Sequence, residues 1–149
     1  MIRPAKPEDL PTILAIAQES PTAAHWSDAV YRAMIAREDE RRNLLVAEKD
    51  GVVVGLSVTA STGIEWELEN IVVAKGLRGR GIGRQLLQAI VVSARAAGAQ
   101  ELHAEIRESN PAINNFYKPL GFQEIGRRTK YYTLPHEDAI LMRLLISGS

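Results

Sequence analysis

At 149 residues, with 46% hydrophobic and 24% charged side chains, the chain is expected to fold as one soluble domain spanning 1–149, with a proper core. Eighteen basic and eighteen acidic side chains cancel, which argues against a general nucleic-acid binder. No apolar run nears the roughly 20 residues a membrane helix needs, and "MIRPAKPEDL" lacks the hydrophobic segment of a secretory signal, so the expected setting is the cytoplasm, with neither nucleic acid nor membrane as partner. The lack of cysteine excludes disulfides, thiolate metal sites and a cysteine acyl-enzyme.

In chain order, Ile2 to Ala5 suits a short first strand. After Pro7, the residues Leu10, Ile13, Leu14 and Ala17 recur at helical spacing, with Glu8 and Asp9 favouring the helix start and Pro21 its end. Ser27 is the expected N-cap of a second helix with Val30, Tyr31, Met34 and Ile35 on one face. "NLLVAEKDGVVVGLSVTA" reads as a hairpin turning at Asp50-Gly51, and "EWELENIVVA" as a third long strand. The next helix buries Leu86, Leu87, Ile90, Val91 and Ala94 and stops at Gly98. "ELHAEIR" is a strand, "NPAINNFYKPLGF" a short helix closed by Gly121, and "RRTKYYTL" and "EDAILMRLL" a final pair of strands. Two helices, a meander of strands, then alternating strands and helices predict a layered α/β (α+β) domain around one twisted, mixed sheet.

The stretch "GLRGRGIGR" holds four glycines and three arginines in nine residues, directly ahead of a helix. Unpaired N–H groups at a helix start and the helix dipole favour an anion, and glycine lets the backbone approach it closely. A P-loop would need Lys-Ser/Thr after its last glycine, where Arg84 and Gln85 stand, and a dinucleotide fingerprint read from Gly79 would need glycine at 84. The stretch does match Arg/Gln-x-x-Gly-x-Gly/Ala, as Arg78-Gly79-Arg80-Gly81-Ile82-Gly83. That is the pyrophosphate loop of the GNAT acetyltransferases, which the chain resembles. The resemblance extends to "NIVV" before the loop and to Tyr117, Gly121 and Phe122 after it. Within the superfamily the chain is similar to the ribosomal-protein-alanine N-acetyltransferases, through "AEIRESNPAINNFYKPLGF" (104–122), "HWS" (25–27) and "YY" with "P-x-EDA-x-x-M" (131–142). It departs from them just upstream of "WS", where "PTAAH" replaces a stretch with a further aromatic.

The resemblance implies a mostly antiparallel sheet splayed between two central parallel strands, with acetyl-CoA wedged in the gap. It implies that the backbone of Ile71, Val72 and Val73 pairs with the pantetheine arm, that the N–H groups from Gly79 to Arg84 hold the pyrophosphate, and that Asn110 touches the cofactor. A helix N-cap is the other role open to Asn110. The implied acceptor is a protein N-terminus, the N-terminal alanine of ribosomal protein S18, and the expected assembly is a monomer or weak dimer.

Acetyl transfer needs an uncharged amine, a polarised carbonyl and a proton for the leaving thiolate. Glu105 and Tyr117 match the family's base and acid. Strand alternation puts Glu105 on one face with His103 and Arg107, where partial desolvation would suit a base; pairing with Arg107 or another cation is the alternative. Tyr117 serves as the proton donor or, alternatively, as core packing. Glu65, Glu67 and Glu69 form an alternating acidic row, in which Glu67 and Glu69 are competing bases or an attraction for a cationic N-terminus. Trp26, Tyr131 and Tyr132 are the expected peptide contacts, with core packing the alternative for Trp26. His25 and His103 are too isolated for a metal site, and no metal is expected. A small-molecule amine, a lysine side chain, and a non-catalytic acyl-CoA-binding regulator remain the rival readings.

Overall fold

A computed structural model describes residues 1–20, 25–133 and 136–146. Seven strands form one sheet: β1 (Ile2–Pro4), β2 (Arg42–Lys49), β3 (Val52–Thr62), β4 (Glu65–Val73), β5 (Glu101–Arg107), β6 (Gln123–Thr133) and β7 (His136–Leu145), in the spatial order β1-β2-β3-β4-β5-β7-β6. Every pairing is antiparallel except β4 with β5. α1 (Leu10–Glu19) and α2 (Asp28–Ile35) cover one face, and α3 (Ile82–Ala96) covers the other as the crossover between the parallel strands.

The local rules written in the sequence account for most of these elements. Asp50 (φ 53°) and Gly51 (φ 79°) both take the left-handed conformation that a two-residue hairpin turn requires. The Ser27 side chain accepts from the Val30 N–H at 3.3 Å and starts α2, whose Tyr31 and Met34 are buried. α1 is preceded by a 3-10 turn, Pro7–Asp9, and Ser20 ends it; Pro21, the expected stop, lies outside the described residues. The segment 110–122 holds a single wide turn of π-helix, Ile113–Tyr117, instead of a regular short helix. The Lys118 N–H reaches the Ile113 carbonyl at 3.0 Å, and the extra residue in that turn swings Tyr117 inward, where it is 8% exposed.

Two irregularities shape the centre of the sheet. β4 pairs with β3 through Val58↔Asn70 and then Thr59↔Leu68, so Glu69 is an extra, bulged residue. The bulge reverses which face later residues take: Trp66 and Leu68 pack with Leu87 and Ile90 of α3, whereas Val72 packs with Leu10, Ile13 and Tyr31 on the opposite side. β4 and β5 pair only through Glu65↔Glu101, Trp66↔Leu102 and Glu67↔His103. Beyond that rung β4 stays bonded to β3 as far as Val73, and β5 to β7 as far as Arg107. The strands therefore diverge, and the bulge that bends β4 begins two residues past the last shared rung.

Candidate active site

The gap between β4 and β5 opens to both faces of the sheet, and different chemistry lines each mouth. On the α3 side, α3 begins at Gly81 (φ 85°) with no side-chain cap, and its first intrahelical bond is Gln85 N–H to the Gly81 carbonyl at 3.0 Å. The N–H groups of Ile82, Gly83 and Arg84 thus point out of the helix without intrahelical partners. Gly79 (φ 78°) and Gly81 hold backbone conformations that strain any L side chain, and a Cβ at either would meet nothing within 4 Å. The result is a positively polarised cradle of bare backbone, sized for an anion. Arg78 turns away from it, donating from Nε to the Val73 carbonyl at 3.2 Å, while Arg80 and Arg84 are exposed beside it. The residues implied to hold a pyrophosphate fit that group.

Between the cradle and the gap run Ile71, Val72 and Val73, whose edge towards β5 is free of strand pairing. Tyr117 stands on this side. Its ring lies edge-on to Phe116 (5.1 Å) and Phe122 (5.2 Å), in a cluster with Leu102, Ala104 and Ile106. Burial pushes its hydroxyl up to about 12, so it remains a proton donor throughout the neutral range. Asn110 closes an Asx-type turn, its Oδ1 accepting from the N–H of Ala112 at 2.9 Å; the N-cap of the π-helical turn is Ala112 itself. The carboxamide's two N–H donors are not used in that bond.

The opposite mouth is a recess of about 230 Å³ whose lining includes Glu65, Glu67, His103, Glu105 and Arg128. Strand alternation explains the division: Leu102, Ala104 and Ile106 face α3 and Tyr117, so His103, Glu105 and Arg107 face the other way. Glu105 and Tyr117 accordingly stand on opposite faces and meet only through the gap. The cation beside Glu105 is Arg128 of β6, at 3.2 Å. Arg107, the expected candidate, instead pairs with Glu137 at 3.3 Å and lies 4.0 Å over the Tyr132 ring. Glu69 is gripped by Arg42 at 2.8 and 3.2 Å. Glu67 sits at the last rung, and burial in the recess, then the charges of Glu105 and Glu69, push its carboxyl above the usual carboxylate range.

Aromatic side chains are linked to the carboxylates of this mouth through two arginines, Arg128 and Arg42. Tyr131 and Tyr132 stack edge-on at 5.2 Å, with Arg128 over the Tyr131 ring. Tyr131 lies within a register shift of β6 that runs from Arg128 to Tyr132, where Lys130 (φ 50°) donates its N–H to Asp138 at 2.8 Å. Trp26 is half-buried against Tyr31 (5.8 Å), with the Arg42 guanidinium 5.2 Å over its ring, so the same arginine ties it to Glu69. The substituted stretch upstream, 21–24, lies outside the described residues.

Sequence reading missed Arg42, Arg128 and the grouping of Glu65, Glu101 and His103, whose ligand-type atoms lie within 4.8 Å of one another. His103 and Glu101 are bonded at 2.9 Å, and Arg143 approaches Glu101 at 3.7 Å. Only the surplus of arginine near aromatics in "GRRTKYY" hinted at a cation for Glu105.

Residues 10–122 match the family described as the Acetyltransferase (GNAT) family. The chain is 34% identical over 141 residues to the ribosomal protein bS18-alanine N-acetyltransferase of Salmonella typhimurium, covering 93% of each. It is 31% identical over 122 residues to an N-alpha-acetyltransferase of Mycobacterium tuberculosis, covering 79% of this chain and 74% of that one. The crystal structure of the ribosomal-protein-S18-alanine N-acetyltransferase from Escherichia coli superposes with a TM-score of 0.85 at 31% identity, over 100% of this chain and 95% of that one. No helix among the described residues is long and apolar enough to cross a membrane.

Proposed function

The chain belongs to the GNAT acetyltransferase family, and on that premise we propose that it transfers acetyl from acetyl-CoA to the N-terminal α-amine of a protein, the N-terminal alanine of ribosomal protein S18, by direct transfer with both substrates bound. A ribosomal acceptor places the reaction in the cytoplasm. One observation carries the reading: two parallel strands that part after three rungs, with an anion cradle and a buried tyrosine on one face of the sheet and a recess lined by carboxylates on the other.

On the cofactor side, the backbone N–H groups from Gly79 to Arg84 grip the pyrophosphate, Ile71, Val72 and Val73 offer a strand edge to the pantetheine arm, and Asn110 offers its spare N–H donors. Bound acetyl-CoA supplies an activated thioester carbonyl, which the fold directs into the gap. On the acceptor side, Tyr131, Tyr132 and Trp26 flank the peptide, and the carboxylates draw its cationic end inward. An α-amine has an ordinary pKa of about 7.7–8.0, so one well-placed carboxylate suffices to neutralise it at pH 7. Glu105 supplies that function, with Glu67, which lines the same recess, as the competing carboxylate. Tyr117 gives its proton to the departing thiolate from the other face. With no cysteine in the chain, a covalent thioester on the enzyme is not available, which favours direct attack.

The test is mass spectrometry of short peptides, varied at residue one, after incubation with enzyme and acetyl-CoA. Peptides beginning with alanine should gain one acetyl group, and N-terminally blocked copies none. Intact-mass measurement of the enzyme with acetyl-CoA alone should reveal no stoichiometric acetyl-enzyme. Acetylation confined to lysine side chains or small amines would overturn the reading.

A further inference from the structure

The carboxylate of Glu137 on β7 accepts three hydrogen bonds that lead to two different parts of the site. Its Oε1 accepts from the Ser109 N–H at 2.9 Å, and its Oε2 accepts from the Ser109 hydroxyl at 3.1 Å and from Arg107 at 3.3 Å. Ser109 lies in the exposed turn that leaves β5, and the next residue is Asn110. The Asn110 N–H reaches the Arg107 carbonyl at 2.9 Å, and the Asn110 carbonyl accepts at 3.2 Å from Ile113, where the π-helical turn that carries Tyr117 begins. Arg107 leads the other way. Its guanidinium lies 4.0 Å over the ring of Tyr132, the residue opposite Glu137 in the β6–β7 register. The bonds from Ser109, first that of its backbone N–H, and then the bond from Arg107 hold the Glu137 carboxyl below the usual carboxylate range, so it is ionised at neutral pH.

We propose that Glu137 is a positioning residue that ties the binding of acetyl-CoA to the binding of the acceptor. This rests on the proposed function, in which Asn110 meets the cofactor and Tyr132 the peptide. Cofactor contact with Asn110 fixes the exposed turn, and the fixed turn presents both Ser109 donors to Glu137. The carboxylate, held from that side, keeps the Arg107 guanidinium over Tyr132, so the ring is set before the peptide arrives. Each substrate then removes freedom that the other would otherwise have to remove, and each binds more tightly in the other's presence. By linkage the two enhancements are the same factor. The link requires a carboxylate, because Oε1 serves the Ser109 backbone while Oε2 serves the Ser109 hydroxyl and Arg107 together. A carboxamide replaces one of those oxygens with an N–H donor, and one side of the link loses its acceptor.

Calorimetry with an alanine-initiated peptide and coenzyme A, which has no acetyl group to transfer, reads the link directly. In the wild type, saturating coenzyme A should tighten peptide binding by about fivefold, the low end of coupling between sites, and the peptide should tighten coenzyme A by the same factor. Glu137→Gln should bind coenzyme A alone as the wild type does, and its peptide affinity should be the same with or without it. Asp138→Asn controls for a merely structural role. Asp138 neighbours Glu137 on β7 and its side chain holds Arg127 and the Lys130 N–H, so this variant disturbs the same hairpin, leaves the link uncut and should keep the enhancement. A second measurement needs no peptide: carbon-13 NMR of labelled tyrosine rings should show the Tyr132 signal shifting when coenzyme A is added to the wild type, and staying still in Glu137→Gln. An enhancement of equal size in wild type and Glu137→Gln would overturn the proposal. So would its absence from the wild type, its loss in Asp138→Asn, or a Tyr132 signal that responds to coenzyme A equally with and without Glu137. If no alanine-initiated peptide is bound or acetylated, the proposed acceptor fails, and the response of Tyr132 to coenzyme A alone still decides the role of Glu137.

Discussion

The two mouths of the gap are made of different material. In the proposed reading, recognition on the α3 side is carried mainly by backbone: helix N–H groups at 82–84, the unpaired edge of β4 at 71–73, and two glycines with positive φ. The side chains assigned a part there are Tyr117, with its one proton, and Asn110, with its spare N–H donors. On the proposed acceptor side every group that matters is a side chain, and three of its carboxylates are paired: Glu69 with Arg42, Glu105 with Arg128, Glu137 with Arg107. Backbone donors cannot be substituted away, only bent out of line, whereas side-chain charges can be removed singly. Cofactor affinity should therefore respond to conformation and acceptor use to charge.

The largest effect that can break this contrast is at Gly81. Valine there must adopt φ near 85° or shift the helix start, and its branched side chain would project into the cradle. Acetyl-CoA binding by calorimetry should weaken by at least about 10²-fold, the scale of a misplaced binding group, with circular dichroism confirming that the fold survives. Arg80→Gln and Arg84→Gln, which delete exposed charges beside the same cradle, should each weaken binding only about threefold. If the arginine variants lose as much as Gly81→Val, the cradle works by side-chain charge and the contrast fails.

Next is Tyr117→Phe, which keeps the ring contacts with Phe116 and Phe122 and deletes the hydroxyl. Peptide and cofactor affinities should hold while kcat falls by about 10²–10³. Because burial pushes this hydroxyl up to about 12, the tyrosine is protonated at every working pH, and the loss should be uniform from pH 6 to about 10. A deficit that closes with rising pH would mean that Tyr117 acts on the acceptor amine, joining the two mouths that the fold keeps apart.

The same contrast explains what was legible in the sequence. The anion cradle and the free strand edge are local: the strand, the loop and the helix start lie between 71 and 84, so glycine spacing and helix periodicity expose them directly. The acceptor mouth is assembled from β4, β5, β6 and the region of α2, and no local pattern says that Arg128 reaches Glu105 past the intervening β7, or that Arg107 prefers Glu137. The alternation of "EWELE" stops at the adjacent polar pair Glu69-Asn70, ahead of the apolar run Ile71-Val72-Val73, which marks an irregularity without saying that the faces exchange there. That bulge separates Glu67 from the residues that follow and lies two residues past the last β4–β5 rung. The carboxylates were visible as residue types; their inequality depended on arginines from elsewhere in the chain.

The smallest effect sharpens the contrast from a distance. Ser27 caps α2 on the acceptor side, well away from the cradle, and its hydroxyl satisfies the Val30 N–H. The same N–H also reaches the Ser27 carbonyl at 3.1 Å, so Ser27→Ala removes one of its two acceptors and should destabilise the fold by about 0.5–1 kcal/mol, read as a lowered midpoint in urea. The loosened first turn carries Tyr31, whose ring supports Trp26, which in turn lies against Arg42 and so against the Glu69 bulge. Peptide KM should therefore rise by about twofold to threefold, the equivalent of about half a kcal/mol, while acetyl-CoA affinity stays at the wild-type value, because this run of contacts leads from Tyr31 through Trp26 and Arg42 to Glu69 and not to the start of α3. Asp28→Asn is the companion variant. It removes the exposed Arg32 pair at the same helix start without touching the cap, and should leave peptide KM unchanged. Equal changes in KM for peptide and in acetyl-CoA affinity on Ser27→Ala would show that the two mouths are mechanically coupled through the sheet, and that their separation is one of composition only.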